Sequence, residues 1–268
     1  MSPSAAANDG NDNPSVKAST PHLEFRDVSV HYGSHKALDA ISMHAARHSV
    51  LGIVGPANSG KTTLLKTINR TLEFIDISRR DGGVLIDGKE VGAIKNVYAL
   101  RRRIGMVFPL PVGLPMSVYE NVAYAPRRMG IHDKEQLDGI VERCLRDSVL
   151  WDEVKDRLDL LGTRLSGGQQ QRLTLARALS LSPEILCLDE FSIAIDPVTT
   201  MKIEEVLTRL KQRMTIILVT NLTQQARRMA DHIAFINASQ LVEWGETETL
   251  FSRPQKEITG RYLNGDFG

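Results

Sequence analysis

The chain has 268 residues, 42% of them hydrophobic and 24% charged, which is enough for one large α/β domain or a core with a smaller subdomain. Basic and acidic residues nearly cancel, at 33 against 32, so nothing in the balance suggests a general nucleic-acid or anionic-lipid binder, and any such partner would need a local patch. Cys144 and Cys187 lie in apolar runs without metal or redox spacing, and we expect two free, buried thiols. No apolar run reaches the roughly 18 residues of a membrane span and no signal segment opens the chain, which predicts a protein neither spanning a membrane nor secreted.

Residues 1–22 are predicted to form a disordered tail ahead of a folded region that spans 23–268. Ser, Ala, Asn and Pro dominate this stretch and large apolar side chains are almost absent, so burial cannot offset the entropy cost of ordering it. Apolar and polar side chains then alternate over 23–32, which predicts a half-buried strand that ends at Tyr32. A second strand is predicted at 41–45, so the folded region should open with paired β-strands.

Residues 55–62, Gly-Pro-Ala-Asn-Ser-Gly-Lys-Thr, match the phosphate-binding pattern G-x-x-x-x-G-K-[ST]. An apolar run at 49–54 precedes them and apolar residues recur at helical spacing after them, which is the strand, loop and helix context that the pattern requires. Backbone N–H groups and the helix N-terminus would surround the phosphates, Lys61 would reach the β- and γ-phosphate oxygens, and the Thr62 hydroxyl would ligate Mg²⁺. The predicted nucleotide-binding residues are Gly55, Pro56, Ala57, Asn58, Ser59, Gly60, Lys61, Thr62 and Thr63.

Helical patterns dominate residues 110–175, and this segment is predicted to be a helical insert. Three prolines within 109–115 prevent regular structure at its beginning. Beyond the insert, two apolar runs of strand length at 185–188 and 214–220 flank a helix predicted at 198–211. A strand, helix, strand order of this kind predicts a parallel sheet.

Two adjacent carboxylates, Asp189 and Glu190, follow the apolar strand at 185–188. In a phosphate-loop protein, an acid at this strand end lies near Mg²⁺, so Asp189 joins Thr62 as a predicted metal ligand. Glu190 is left free to polarise a water, and it is the predicted catalytic residue together with Lys61. The alternative, an ordinary solvated strand end, is rare downstream of a matched phosphate loop.

The segment 165–172, Leu-Ser-Gly-Gly-Gln-Gln-Gln-Arg, adds two glycines at a predicted helix start, which makes a second backbone-amide anion site. One chain already has its phosphate loop, so this site makes most sense across a dimer, closing over the γ-phosphate of a second copy. The predicted residues are Ser166, Gly167, Gly168 and Gln169. The alternative is a helix start with a Ser cap, which explains neither the paired glycines nor the three glutamines.

The phosphate loop, the 165–172 segment and the Asp-Glu pair, in this order, resemble the ATP-binding subunits of ABC transporters over essentially all of 23–268. The stretches 115–124, 151–158 and 202–205 resemble the phosphate-import branch of that family. The resemblance implies an α/β fold of the ABC ATPase type, with a RecA-like P-loop NTPase core, an antiparallel β subdomain and a helical subdomain. It also implies ATP hydrolysis with ATP and Mg²⁺ as cofactors.

The resemblance further implies partners and a location. Two copies of the chain would sandwich two ATP molecules and drive phosphate uptake through two transmembrane permease subunits, fed by a phosphate-binding protein and without nucleic acid. The chain would sit peripherally on the cytoplasmic face of the cytoplasmic membrane. The irregular, apolar segment 109–124 is the expected permease contact, since it adjoins the active site.

Individual positions take roles from the same resemblance. Tyr32 would stack on adenine, with a plain core tyrosine as the alternative. Asp196 would lie in the loop that contacts the partner's site. Asn221 stands where the family has its switch histidine, and an asparagine can donate a hydrogen bond but cannot carry a charge. Pro109 stands where the family has a Mg²⁺-ligating glutamine, and proline offers no side-chain oxygen and no N–H.

Two further departures are expected to be mild. Asn58 replaces a usual glycine in the phosphate loop, and asparagine tolerates left-handed backbone better than most residues. Phe191 replaces the usual proline after the Asp-Glu pair and is expected to serve packing only.

Four functions stay open at this point. Losing one preorganised contact to transition-state charge costs on the order of 10²–10³ in rate, so Pro109 and Asn221 could leave a slow ATPase. The second function is a nucleotide-binding regulatory subunit with little turnover, and the third is an importer ATPase for another solute. A soluble ABC ATPase of repair or translation is disfavoured, because the chain has one cassette and no basic excess.

Overall fold

Ten strands in residues 21–77 and 79–266, the parts of the chain that this computed structural model describes, pair into one mixed sheet. The strands are β1 (Leu23–Tyr32), β2 (His35–Ala45), β3 (Val50–Val54), β4 (Arg79–Ile86), β5 (Lys89–Glu90), β6 (Ile104–Val107), β7 (Ile185–Asp189), β8 (Thr215–Val219), β9 (His232–Asn237) and β10 (Gln240–Glu246). Their order across the sheet is β5-β4-β1-β2-β10-β9-β3-β8-β7-β6. The predicted tail at 1–22 lies outside the described residues except for its last two positions.

Parallel pairing joins β3, β8, β7 and β6, as the strand, helix, strand pattern predicts. Every residue of β3, β7 and β8 is buried, which is typical of parallel strands covered on both faces. Because parallel strands end at the same edge, the segments that follow β3, β6, β7 and β8 lie side by side.

Antiparallel pairing organises the N-terminal strands. β1 lies between β2 and β4 and pairs antiparallel with both. β2 is longer than the strand predicted at 41–45, because its pairing with β1 extends back through the hairpin to the Tyr32 and His35 pair. The polar residues at the start of β2 lack the apolar run that marks its second half, so they gave no periodic signal.

The helices of the described residues are α1 (Lys61–Ile68), α2 (Val97–Arg102), α3 (Val118–Arg128), α4 (Lys134–Asp147), α5 (Trp151–Val154), α6 (Gly167–Leu179), α7 (Pro197–Leu210), α8 (Thr223–Met229), α9 (Thr247–Ser252) and α10 (Glu257–Asn264). The segment 110–175 contains α3, α4, α5 and most of α6, and its only β pairing is an isolated bridge. None of the helices in the described ranges combines the length and hydrophobicity that crossing a membrane requires.

Two hydrophobic clusters cover the opposite faces of the sheet. Val50 and Val54 of β3 belong to the first cluster, which draws on α3, α4, α6 and α7. Leu51 and Ile53 belong to the second, which draws on α1, β1 and β2. This alternation follows from the two-residue period of a strand. Cys144 and Cys187 are free and buried in these clusters, which confirms the prediction of two buried thiols.

Candidate functional site: a nucleotide cleft

A cleft of about 440 Å³ opens where the parallel strands end. The phosphate loop follows β3, Pro109 lies two residues after β6, Glu190 follows β7, and Asn221 lies two residues after β8. The residues that line it are Tyr32, His35, Ala37, Ala57, Asn58, Gly60, Lys61, Thr62, Thr63, Pro109, Glu190 and Asn221. A volume of this size lies within the range of small-molecule sites, which is on the order of 300–1,000 Å³. The fold therefore brings together segments that are far apart in the sequence.

The backbone of the phosphate loop requires glycine at two positions. At Gly55 φ is +154°, and a Cβ would lie 1.9 Å from the Ile236 carbonyl oxygen. At Gly60 φ is +106°, and a Cβ would lie 2.3 Å from the Ala37 carbonyl oxygen. Asn58 has a φ of +60°, in the left-handed region, so its replacement of the family's glycine fits the loop conformation.

Lys61, the first residue of α1, is buried beneath the cleft and folds back onto its own loop. Its ammonium donates hydrogen bonds of 2.7 Å to the carbonyl oxygens of Gly55 and Pro56. Burial lowers the pKa of Lys61, and the nearby carboxylates of Glu190 and Asp189 oppose that shift. A lysine that lines a cleft and donates only to neutral carbonyl oxygens is suited to binding anionic oxygens.

Thr62 and Asp189 form a polar pair at the bottom of the cleft. The Thr62 hydroxyl donates a 2.7 Å hydrogen bond to Asp189 Oδ2. Asp189 is 1% exposed, and no residue in the described ranges gives its Oδ1 a hydrogen bond. Burial raises the pKa of Asp189, against the lowering effect of the Thr62 hydrogen bond. A hydroxyl and a carboxylate with spare lone pairs are hard oxygen donors, the type that Mg²⁺ prefers.

Glu190 lines the cleft, and Ser59 belongs to the phosphate loop beside it. The Ser59 hydroxyl is buried and has no hydrogen-bond partner among the described residues. Glu190 has a φ of +45°, a conformation that costs a non-glycine residue about 1–3 kcal/mol and persists only where its surroundings hold it. Its N–H donates a 2.9 Å hydrogen bond to the Val219 carbonyl, which ties the ends of β7 and β8 together.

The 165–172 segment starts α6 and lies apart from the cleft of its own chain, since none of Ser166–Gln169 lines it. Ser166 and Gln169 form a reciprocal capping box: the Ser166 N–H donates to Gln169 Oε1 at 3.0 Å, and the Gln169 N–H donates to Ser166 Oγ at 3.4 Å. A Cβ on Gly168 would lie 2.8 Å from the Ala194 carbonyl oxygen, whereas Gly167 has open space around it.

The remaining glutamines of this segment have structural partners that sequence reasoning did not find. Gln170 Oε1 accepts a 3.1 Å hydrogen bond from the Gly113 N–H, and Gln171 Nε2 donates a 2.8 Å bond to the Phe108 carbonyl. The expectation that a capped helix start leaves the three glutamines and both glycines unexplained was therefore wrong. Local packing accounts for all but Gly167, and it also joins α6 to the segment around Pro109.

The structure shows the surroundings of three further residues that the sequence analysis singled out, Asp196, Tyr32 and Phe191. Asp196 caps α7 by accepting a 2.9 Å hydrogen bond from the Thr199 N–H, and that bond lowers the pKa of its carboxyl group. Tyr32 is half-buried, and its hydroxyl lies 3.3 Å from Thr63 Oγ1 at the cleft wall. Phe191 is 1% exposed in the first hydrophobic cluster, which agrees with the expected packing role.

Sequence reasoning missed Tyr262 and His35. The Tyr262 hydroxyl, on α10, accepts a 3.1 Å hydrogen bond from the Gly55 N–H across 207 residues, and its ring stacks on Phe235. Burial raises the pKa of the Tyr262 hydroxyl. His35 pairs with Tyr32 across the β1–β2 hairpin and lines the cleft. Neither residue lies in a motif. The short distance in sequence between His35 and Tyr32 could have indicated that His35 also lies near the cleft.

Comparisons with known proteins place these features in context. Residues 38–192 match the family model described as ABC transporter. A relative from Pseudoalteromonas translucida (strain TAC 125), named phosphate import ATP-binding protein PstB, is 45% identical over 247 residues, which cover 92% of this chain and 90% of the relative. A bacterial Atm1-family ABC exporter with ATP bound superposes with a TM-score of 0.78 at 24% identity, covering 95% of this chain and 43% of the exporter chain. The cbiO1 protein of Clostridium perfringens, part of the cbiONQ transporter complex, has a TM-score of 0.75 at 24% identity and covers 87% of this chain and 92% of its own.

Proposed function

The chain belongs to the ABC transporter family, and from this premise we propose that it is the ATP-binding subunit of an importer of inorganic phosphate. It couples ATP binding and hydrolysis to phosphate uptake across the cytoplasmic membrane. The observation that carries the ATPase is the convergence of Lys61, Thr62 and Glu190 on one cleft, with Asp189 beneath it. The solute rests on the 45% identity to a relative whose name specifies phosphate import.

ATP binds through residues that line or support the cleft. The loop amides and Lys61 take the phosphates, the orphaned Ser59 hydroxyl supplies one further donor, and Tyr32 stacks on adenine. Thr62 and Asp189 hold Mg²⁺, for which their oxygens are suitable donors. When bound, the ion neutralises phosphate charge.

Hydrolysis depends on positioning and electrostatics, since phosphoryl transfer needs little covalent chemistry from the protein. Glu190 polarises the attacking water and accepts its proton. Lys61 stabilises the negative charge that gathers on the γ-phosphate oxygens. The backbone of Glu190 is held by its hydrogen bond to Val219, so the carboxylate is offered to the cleft without reorganisation.

A second copy of the chain completes the site. Ser166–Gln169 are solvent-accessible at the start of α6 and lie outside the cleft of their own chain, so they serve the ATP bound to the partner. Asp196 lies in the loop that faces the partner. The permease subunits contact the segment 109–124, where Leu110 is 77% exposed and Tyr124 is 50% exposed. The assembly sits at the cytoplasmic face of the membrane and receives phosphate from a binding protein.

The test is phosphate release by the purified chain, compared with Glu190→Gln. Turnover that falls by on the order of 10²–10³ in the variant supports the ATPase, whereas turnover that the variant leaves unchanged contradicts it. A regulatory subunit with little turnover is the second candidate, because Pro109 and Asn221 both line the cleft. Nucleotide-driven dimerisation of the wild-type chain without phosphate release would favour that candidate.

The solute is tested separately by phosphate uptake in a strain lacking this chain. Uptake that is lost, and restored by the wild-type chain but not by Glu190→Gln, supports phosphate. Unchanged phosphate uptake in the deletion strain would assign the subunit to another solute while leaving the ATPase assignment intact.

A further inference from the structure

We infer that Gln225, on α8, is a positioning residue of the cleft: its buried amide holds the loop that carries Asn221 against the loop that follows Glu190. The catalytic consequence rests on the function proposed above. The structural part concerns only the relation between two loops. Neither the phosphate loop nor the signature segment (residues 165–172) includes this residue, which lies behind the cleft.

Every hydrogen-bonding group of the Gln225 side chain is used. The side chain is 1% exposed, and its Oε1 accepts a 2.8 Å hydrogen bond from the Thr220 hydroxyl. Its Nε2 donates to Ser192 Oγ at 3.2 Å and to Glu204 Oε1 at 3.1 Å. These four residues are all buried, so no solvent replaces a contact that is lost.

The Thr220 contact fixes Asn221. Besides donating to Gln225, the Thr220 hydroxyl accepts a 3.0 Å hydrogen bond from the Leu222 N–H. This bond links the two residues that flank Asn221 in the sequence. Asn221 itself is exposed and lines the cleft. The conformation of this exposed residue is therefore set by the buried residue before it.

The Ser192 contact fixes the other loop. Ser192 lies two residues after Glu190, and the Ile193 N–H donates a 3.2 Å hydrogen bond to the Glu190 carbonyl, so this short turn moves as a unit. The left-handed backbone of Glu190 needs such support. One side chain thus connects the loops that follow two adjacent parallel strands, β7 and β8.

The orientation of the amide is enforced by Glu204 and Arg228. Arg228 donates two 2.9 Å hydrogen bonds to the Glu204 carboxylate, whose side chain is 8% exposed. An ionised carboxylate only accepts hydrogen bonds, so Nε2 rather than Oε1 of Gln225 must face it. Glutamate at position 225 would lose both donations and place a second negative charge against Glu204.

Gln224 offers a matched control. It is the same residue type on the same helix, but it is exposed and makes none of these contacts. Gln225→Glu and Gln224→Glu add the same charge, one residue apart. A difference between the two variants therefore reports the buried surroundings of Gln225, both its hydrogen bonds and its contact with Glu204, and not the mere addition of a charge to α8.

The test uses the full chain and four measurements: thermal unfolding, ATP affinity, the rate of phosphate release, and amide hydrogen exchange at 190–193 and 220–222. Gln225→Glu should accelerate exchange in both loops and lower kcat on the order of 10- to 100-fold, since misplaced catalytic groups cost rates of that size. ATP affinity should stay within about twofold, because the phosphate loop is untouched. Gln224→Glu should match the wild type in all four.

Unchanged exchange in both loops of a folded Gln225→Glu chain would overturn the inference. If Gln225→Glu accelerates exchange in both loops but the wild-type chain releases no phosphate, the proposed ATPase is overturned and the positioning role is kept. If Gln225→Glu does not fold, Ser192→Ala removes a single link of the network. Ser192→Ala must then accelerate exchange at 220–222 as well as at 190–193, and an effect confined to its own loop would reject the connection.

Discussion

The Thr62 hydroxyl donates a 2.7 Å hydrogen bond to Asp189 Oδ2 across 127 residues of sequence. It joins the first turn of α1 to the end of β7, and it occupies only one of the two carboxylate oxygens. The fold thus brings together two oxygen-bearing side chains that the sequence separates.

Asp189→Asn is expected to separate stability from activity. Burial raises the pKa of Asp189, so the folded state binds the proton of this carboxyl group more tightly than the unfolded state does. Ionisation of Asp189 therefore lowers the stability of the fold as the pH rises above the pKa of this group in the unfolded chain. A neutral amide removes that cost, and the thermal midpoint at pH 7.5 should rise or stay level. Phosphate release should fall by on the order of 10²–10³, because the proposed metal ligand loses its charge. A lower thermal midpoint combined with unchanged turnover would contradict both parts.

Restoring the family's residues at the two departures should raise turnover. Pro109→Gln returns a side-chain oxygen to the cleft, and Asn221→His returns a group that can carry charge near neutral pH. If these positions limit the rate, steady-state phosphate release by the double variant should rise at least about tenfold, a lower bound set below the 10²–10³ that one fully regained contact contributes. Asn221→Ala is the control and should not accelerate the reaction. Equal rates in all these chains would show that the two positions do not limit hydrolysis.

Glu153→Ala should weaken the support of the signature segment. The Glu153 carboxylate accepts hydrogen bonds from Arg172 at 2.5 and 3.1 Å and from Gln169 Nε2 at 2.8 Å. Arg172 is 6% exposed and would lose a charged partner, but the Glu153 side chain is 43% exposed, so water can partly replace the carboxylate. The free energy of unfolding should fall by about 1 kcal/mol, measured by denaturant titration.

The pH dependence of the same pair has a definite sign. The Arg172 hydrogen bond lowers the pKa of Glu153, so its stabilisation is present above the unfolded pKa of about 4.3 and is lost as the pH falls through the folded value. The difference between wild type and Glu153→Ala should therefore shrink in acid. Glu142→Ala, which breaks an exposed i,i+4 pair with Arg146, should cost no more than about 0.5 kcal/mol.

His22 should make the fold more stable as the pH rises from 5.5 to 7.5. Burial, and next the charge of Arg47, lower the pKa of His22, while Asp87 and Glu184 oppose the shift. The unfolded chain therefore binds a proton near pH 6.5 that the folded chain does not, and stability is lost as the pH falls through that value. Denaturant unfolding across this range should show a shallower slope for His22→Gln than for the wild type.

Local patterns predicted most of the elements around the cleft. The phosphate loop has a positive φ and a closely approaching carbonyl oxygen at both Gly55 and Gly60, so only glycine fits there. The spacing of the two glycines in the sequence therefore predicts the loop. The strand before Asp189 is buried on both faces, so it reads as a continuous apolar run. Such features involve neighbours in sequence, and a single chain segment determines them.

Other elements could not be predicted, because the residues that they contact are far away in the sequence. The polar start of β2, His35 and Lys36, joins the strand through its pairing with Tyr32 and His31 of β1. The sequence did not show that Gln170 and Gln171 bind backbone groups of the segment 108–113. The sequence around a glutamine does not indicate which group its amide will hydrogen-bond in the folded protein.

The sequence by itself determined the α/β class, the phosphate loop and the acids that follow a buried strand, because backbone sterics and hydrophobic periodicity act over a few residues. Only the tertiary structure decided that Glu190 and Asn221 line the same cleft, that Tyr262 supports Gly55 and that Gln225 joins two loops. Parallel strands bring their ends to one edge whatever their separation in the chain. The contacts made at that edge depend on register and packing, which no local pattern encodes.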